Sequence, residues 1–538
     1  MPQCKPVKSL KAACLHNITK NMDNVWCKNY KDNFLGQGAF IYVDGPFEFL
    51  PGFLVCDLLR ILKKERLLQR HHLHLLITSN IERLDLSKDT ADMAPILNLI
   101  SFRCKDSLKE LSLARCSRIP RLVLKNMISV LGNLEVLDLS WINVHDDILE
   151  TVGANCSKLR ELDVSLSHYV SDRGINHLFN DEDWDHRFGK CKALTKLHIQ
   201  DTRVSASGVE AALRQLPNLQ HLNHPKVVTA LDIMHRADWE AGVTIPPYRL
   251  KSLFADYRSG NNYPSSDLPD VSLSVATDVC PNATDAHLLA YRFRDNPDSI
   301  LSLCKLKYLR VLNIIVDDGG EDDSKAHMDF FSHAVTPVLQ SCGKSITYIS
   351  LGEFPPGVDV GIIGMCCPFL QELNLAFNKG YKNSACKVSS SCDTHFSSLK
   401  RLNLVFICSN VVIFKDLSQP NPEANAPDLP SIDLPPVHMK SLLSSPALEA
   451  VFIRESSVLT DQLLREVLSK GQKFTHLREM ELEQCHNITS QFVYSLLNLP
   501  GPLKSLKLWE CRQLTRSDVN SFKSVCRKNR WDFHIDWT

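Results

Sequence analysis

The chain has 538 residues, and its 61 Lys plus Arg are balanced by 61 Asp plus Glu, a formal net charge of zero at pH 7. That balance leaves no basic excess for a nucleic acid or an anionic membrane surface. No apolar run approaches the roughly 20 residues of a membrane span, and Met1-Pro2-Gln3-Cys4-Lys5-Pro6 opens without a secretory core. The expectation is a soluble protein of the cytoplasm and/or nucleus whose partners are proteins, not nucleic acid or membrane.

Taken in order, the first 75 residues read as a small helical region. Ser9 can cap a helix in which Leu10, Cys14 and Ile18 recur at i, i+4 and i+8 on one face. Gly36, Gly38, Gly45 and Pro46 then mark a loop. A second helix is expected at about 51–63, with Pro51 at its first position, Leu54, Leu58 and Ile61 on one face, and Lys63, Lys64 and Arg66 at its C-terminal end. A further helical stretch to about Leu76 is expected to cover the open first unit of a downstream repeat array. It holds His71, His72 and His74, which look ligand-like. With no Cys or Asp close by in sequence they read as buried helix, and no metal is assigned.

From Ile81 a leucine phrase recurs, cleanest as Leu108-Lys109-Glu110-Leu111-Ser112-Leu113. Its anchors are Ile81, Leu108, Leu134, Leu159, Leu194, Leu219, Leu250 (degenerate), Ala283, Leu309, Ile346, Leu370, Leu399, Leu448, Leu477 and Leu503. The shorter spacings match the roughly 20–29-residue period of leucine-rich repeats, each supplying one strand and one helix. The expected fold is α/β: a leucine-rich-repeat solenoid, or horseshoe, over 76–538, preceded by the helical segment 1–75. Insertions interrupt the period near 179–193, 224–275 and 419–437, and the acidic run 317–323 reads as a solvated loop. Residues 531–535 are placed to add a closing strand.

Cysteines fall at repeat positions. Cys156, Cys191, Cys280 and Cys367 stand three residues before an anchor, and Cys116, Cys485 and Cys511 fill the small position after a strand. They read as reduced thiols packed as small hydrophobes. No nucleophile elbow, phosphate loop, His-Glu-x-x-His or kinase signature occurs, so no catalytic residue or cofactor is expected.

Ser9-Leu10-x-x-x-Cys14-x-x-x-Ile18 matches an elongin BC-box at each restricted position, and Leu50-Pro51-x-x-Leu54-x-x-x-Leu58 matches a cullin-2 box. With both boxes ahead of a repeat array, the chain resembles the VHL-box substrate receptors with leucine-rich repeats, the PRAME-like class. The resemblance implies a non-catalytic subunit of a cullin-RING ubiquitin ligase. Leu10, Cys14 and Ile18 would meet elongin C of the elongin B/C pair, and Leu50, Pro51, Leu54 and Leu58 would meet cullin-2. Phe49-Leu50-Pro51 followed by Leu54, Leu58 and Ile61 also resembles an F-box opening, which would imply a Skp-type adaptor and cullin-1. A repeat scaffold outside any ligase is a third reading.

In the repeat strands the leucines point inward and the intervening residues form the face expected to hold a protein substrate. Trp141 and Trp509 are large aromatics without a core role there, and Glu479, Glu481 and Glu483 set three like charges on one strand beside Lys507. These six residues are the expected substrate contacts, suited to a basic or lysine-bearing segment.

Overall fold

The structure is a computed structural model. It describes residues 9–34, 44–88, 93–116, 118–179, 191–256, 273–291, 297–316, 331–352, 358–377, 396–406, 434–469, 471–499, 501–529 and 531–538. Most of the expected insertion at 179–193, the acidic run 317–323 and the proline-rich stretch 419–433 lie outside the described residues. The fold is mixed α/β and divides between Ala255 and Asp256 into two compact units, so the helical N-terminal segment and the first repeats share one unit.

The first unit opens with four helices: α1 (Leu10–Lys20), α2 (Lys28–Asn33), α3 (Gly52–Lys64) and α4 (Arg70–Leu76). A π-helical turn, Met22–Trp26, separates α1 from α2. Ser9 caps α1 as expected, its hydroxyl accepting from the Ala12 N–H at 3.2 Å. Pro51 stands one residue outside α3 rather than at its first helical position. Its extended backbone suits the cap, where a missing N–H costs nothing.

Six strands follow: β1 (Arg83–Asp85), β2 (Glu110–Ser112), β3 (Val136–Asp138), β4 (Glu161–Asp163), β5 (Lys196–His198) and β6 (His221–Asn223). They pair in parallel and in chain order, each joined to the next through a helix. β7 (Ser252–Asp256) comes next in the chain, and the boundary between the two units falls within it. The insertion expected from 224 is in part a long helix, Val227–Glu240, and the degenerate anchor Leu250 is buried like the others.

In the second unit nine strands pair in parallel and in chain order. These are β8 (Asp285–Tyr291), β9 (Val311–Val316), β10 (Tyr348–Gly352), β11 (Glu372–Phe377), β12 (Arg401–Phe406), β13 (Ala450–Arg454), β14 (Glu479–Glu483), β15 (Ser505–Trp509) and β16 (His534–Trp537). β16 is the closing strand, three residues later than its expected start.

Register explains the repeat phrase. Every one of the fifteen anchors is buried, and each stands two residues before the first residue of a strand. The next two positions of a phrase are buried as well, as with Leu111 and Leu113, so a repeat buries three side chains behind its sheet, all apolar except His224 in the Leu219 repeat. Seven residues past an anchor the backbone turns left-handed, at Lys88, Arg115, Trp141, Leu166 and Asp201 and again at Glu455, Gln484 and Glu510. The turn aims the N–H at a carbonyl of the next repeat, as Arg115 to Ser140 at 2.9 Å and Gln484 to Trp509 at 2.8 Å, and so extends the ladder past the strand. The small residue after it bonds in the opposite direction. Cys116 Sγ donates to the Leu86 carbonyl at 3.1 Å, and the Ser167 hydroxyl donates to the Ile142 carbonyl at 2.7 Å. Cys156, Cys191, Cys280 and Cys367 are buried and unbridged, as their repeat positions imply.

Candidate functional site

The helices α1 and α3 pack on each other although more than thirty residues separate the two sequence boxes. Lys11 Nζ lies 2.8 Å from the Asp57 carboxylate, and His16 Nδ1 lies 3.1 Å from Glu65 Oε1. α3 in turn covers the open edge of the first sheet. Cys56 Sγ donates to the Arg83 carbonyl at 3.0 Å, and Lys63 Nζ bonds Asp85 at 2.7 Å and Ser87 at 2.8 Å. The turn before α3 is pinned by Asn80 Nδ2 donating to the Leu50 carbonyl at 2.6 Å, and by Arg103 bridging Asp44 and Glu48.

What α1 buries decides what it leaves free. Leu15 and Thr19 face the interior, whereas Leu10 is 82 % exposed, Cys14 is exposed and Ile18 is half-buried. The BC-box stripe therefore lies on the uncovered side. Beside it, Phe53 is exposed with Lys11 Nζ 5.4 Å from its ring centre, and Phe49, in the turn ahead of α3, is 95 % exposed. A lone exposed leucine needs no explanation, but a stripe adjoined by an exposed aromatic marks an interaction surface.

The second box is divided. Pro51 is exposed, and Leu50 and Leu54 are half-buried, but Leu58 is fully buried with Val55, Leu59 and Leu62. Leu58 is a core residue of α3 and presents no surface to a partner, which corrects its assignment as a cullin contact.

The three histidines of α4 are buried, as expected, but the premise that no Cys or Asp lies near is overturned. His71 Nε2 stands 2.7 Å and His72 Nε2 3.2 Å from Asp23 Oδ1, and Cys27 adjoins both rings. Burial pushes Asp23 up, and the hydrogen bonds from His71, His72 and Lys31 more than reverse it, holding its pKa at about 2. The contact joins α4 to the turn after α1, a pairing no local pattern announces.

The expected substrate residues fall in both units. Trp141 is in the first, and it sits in the left-handed turn after β3 rather than on the strand. It is 53 % exposed, with the Arg115 guanidinium 4.4 Å from its ring centre. The other five are in the second unit, on β14 and β15. Lys507 Nζ bonds Glu481 Oε2 at 2.8 Å, and Trp509 Nε1 donates to Glu481 Oε1 at 3.1 Å. The Glu481 hydrogen bond raises the Lys507 pKa, and Arg454 stands 3.6 Å from Glu483. Two of the three glutamates are thus already offset within the chain, while Glu479 is exposed. Glu479, Glu481 and Lys507 line a shallow depression of about 190 Å³ with Phe452, Asn403 and Arg401.

Sequence reasoning missed a second depression, of about 320 Å³, in the first unit. Arg60 and Lys63 of α3 line one part of it, and Glu110, Asp138, Glu161 and Asp163 of the strand face line another. The strand positions were legible as face residues. That α3 lies over them was not, because the sequence does not say which end of the sheet a covering helix meets.

With this geometry in place, no family model matches the chain and no curated protein matches it significantly. Among solved structures it is similar to a chain of the yeast complex of Rad7 and Elc1. The alignment covers 95 % of this chain and 96 % of that one, at 13 % identity and a TM-score of 0.44.

Among the described residues no helix is long and apolar enough to cross a membrane.

Proposed function

We propose that this chain is the substrate-recognition subunit of a cullin-RING ubiquitin ligase of the elongin BC–cullin-2 type, its repeats forming a leucine-rich-repeat solenoid that holds a protein substrate. The observation that carries the reading is the uncovered stripe of α1. The helix is anchored through Leu15, Thr19, Lys11 and His16, yet Leu10 and Cys14 face away from the unit. Burying a leucine contributes about 1.5–3 kcal/mol, roughly 10- to 100-fold in affinity. Elongin C would take Leu10 into an apolar pocket, with the smaller Cys14 allowing close helix approach. Leu50, Pro51 and Leu54, at the exposed start of α3, would meet the cullin. The repeat faces would hold substrate near a charged conjugating enzyme, so that the protein supplies effective concentration rather than chemistry.

One observation also favours an F-box-type receptor: the near-complete exposure of Phe49 just ahead of Leu50-Pro51. Co-purification separates the readings. The full chain is expected to retain purified elongin B/C and not a Skp-type adaptor. Leu10→Glu with Cys14→Glu is expected to lower elongin C affinity at least 100-fold, with thermal unfolding unchanged because neither side chain is in the core. Retention of elongin C by that double variant, or preference for the Skp-type adaptor, contradicts the proposal.

A further inference from the structure

The buried cluster between the turn after α1 and the start of α4 has the makings of a metal site. Cys27 Sγ and one ring nitrogen each from His71 and His72 all lie within 4.8 Å of one another, and all three side chains are buried. Asp23 adds a carboxylate oxygen in hydrogen-bond contact with both imidazoles. Two chain segments converge here. Asp23 and Cys27 are four apart across the π-helical turn Met22–Trp26, and such turns concentrate at functional sites. His71 and His72 sit in the first turn of α4.

We propose that Asp23, Cys27, His71 and His72 form a tetrahedral site for a divalent transition metal of the zinc class. A zinc ion with bonds of roughly 2.0–2.3 Å holds its donors about 3.3–3.8 Å apart, so Cys27, His71 and His72 must draw in from within 4.8 Å, and Asp23, which already meets both imidazoles, must turn to complete the shell. The donor chemistry selects the class. One thiolate, two imidazoles and one carboxylate suit zinc, whereas calcium and magnesium take oxygen shells.

Binding releases a proton. Asp23 is already ionised at neutral pH. Cys27, pushed to about 12 by burial when metal-free, gives its thiol proton to solvent as the sulfur–metal bond forms. His72 Nδ1 accepts the Gln69 N–H at 3.2 Å, which places the ring proton on Nε2, toward Asp23. Ligation through Nε2 moves that proton to Nδ1 and opens the Gln69 contact at the start of α4. The ion would cross-link the turn that follows α1 to α4, fixing the seat of α1 whether or not that helix docks on elongin C.

The test uses the full chain, stripped with a chelator and titrated with Co²⁺, then Zn²⁺. Uptake of one Co²⁺ per chain is expected, with tetrahedral d–d absorption and a thiolate-to-cobalt charge-transfer band that Zn²⁺ displaces. Zn²⁺ should raise the thermal midpoint, and Cys27→Ser should abolish the charge-transfer band and weaken uptake at least 10-fold. X-ray absorption on the zinc-loaded wild type reads the shell without any variant and should give one sulfur and three nitrogen or oxygen neighbours. No stoichiometric uptake would mean a hydrogen-bonded Asp–His cluster only and overturn the proposal. So would a charge-transfer band that survives Cys27→Ser, or a shell with several sulfurs, since either would place the ion elsewhere in this cysteine-rich chain.

Discussion

His74 and His224 are held neutral inside the first unit. Burial lowers the pKa of each from 6.5 to about 4. Their surroundings suit a neutral ring: Tyr30 Oη lies 2.6 Å from His74 Nδ1, and His224 Nδ1 accepts the Lys226 N–H. The unfolded chain binds these protons more readily than the folded one. Their contribution is therefore fully present above pH 6.5 and is lost as pH falls toward 4, at about 1.4 kcal/mol per pKa unit. The urea midpoint is expected to fall steeply across that window and to fall less in His224→Gln. Asp23, held at about 2, adds acid lability only below this range. At this scale the sequence revealed residue type and repeat position but not backbone strain. Trp141 reads as a strand-face residue, yet its φ of 61° places it in a left-handed turn. Nothing but Gly or Asn announces such a turn, and here Lys, Arg, Trp, Leu, Asp, Glu and Gln fill it.

Among elements, α1 and α3 behave differently although the same apolar spacing identifies both. α1 buries only Leu15 and Thr19, and the contact role of Leu10 and Cys14 came from the BC-box resemblance, not from apolar spacing, which alone reads as a buried side. α3 carries Asp57, Arg60 and Lys64 on its polar side, and the box residues Leu54 and Leu58 straddle the edge of its buried side, so the box pattern does not separate surface from core. The structure buries Val55, Leu58, Leu59 and Leu62 and leaves Leu54 partly open. Leu58→Ala is therefore expected to cost about 2–5 kcal/mol in chemical denaturation, whereas Leu54→Ala should cost clearly less. Gly52, at the start of α3, comes so close to Asn80 that an added Cβ would lie 2.3 Å from its carbonyl oxygen. Gly52→Ala should destabilise by roughly 1–3 kcal/mol by forcing α3 off that contact, read in the same experiment.

Across the chain, the fifteen anchors were legible because each phrase is local and repeated: the same burial requirement is written again every few dozen residues. The strand starts, the closing strand and the cysteine positions follow from it. The break between Ala255 and Asp256 was not legible, since it depends on which repeats contact one another. Nor was the meeting of Asp23 and Cys27 with His71 and His72, more than forty residues apart in the chain. Of the proposed contacts, the α1 stripe came from sequence and agrees with exposure, while Leu58 shows where a box pattern and a core pattern coincide. The central claim is that α1 docks elongin C and the start of α3 docks the cullin while the sheet faces stay available. Hydrogen–deuterium exchange on the full chain, with and without purified elongin B/C and cullin-2, tests it most directly. The account predicts new protection confined to residues 10–20 and 44–54, with β1–β6 and β8–β16 unchanged; protection on the strands instead, or none anywhere at saturating elongin B/C, would contradict it.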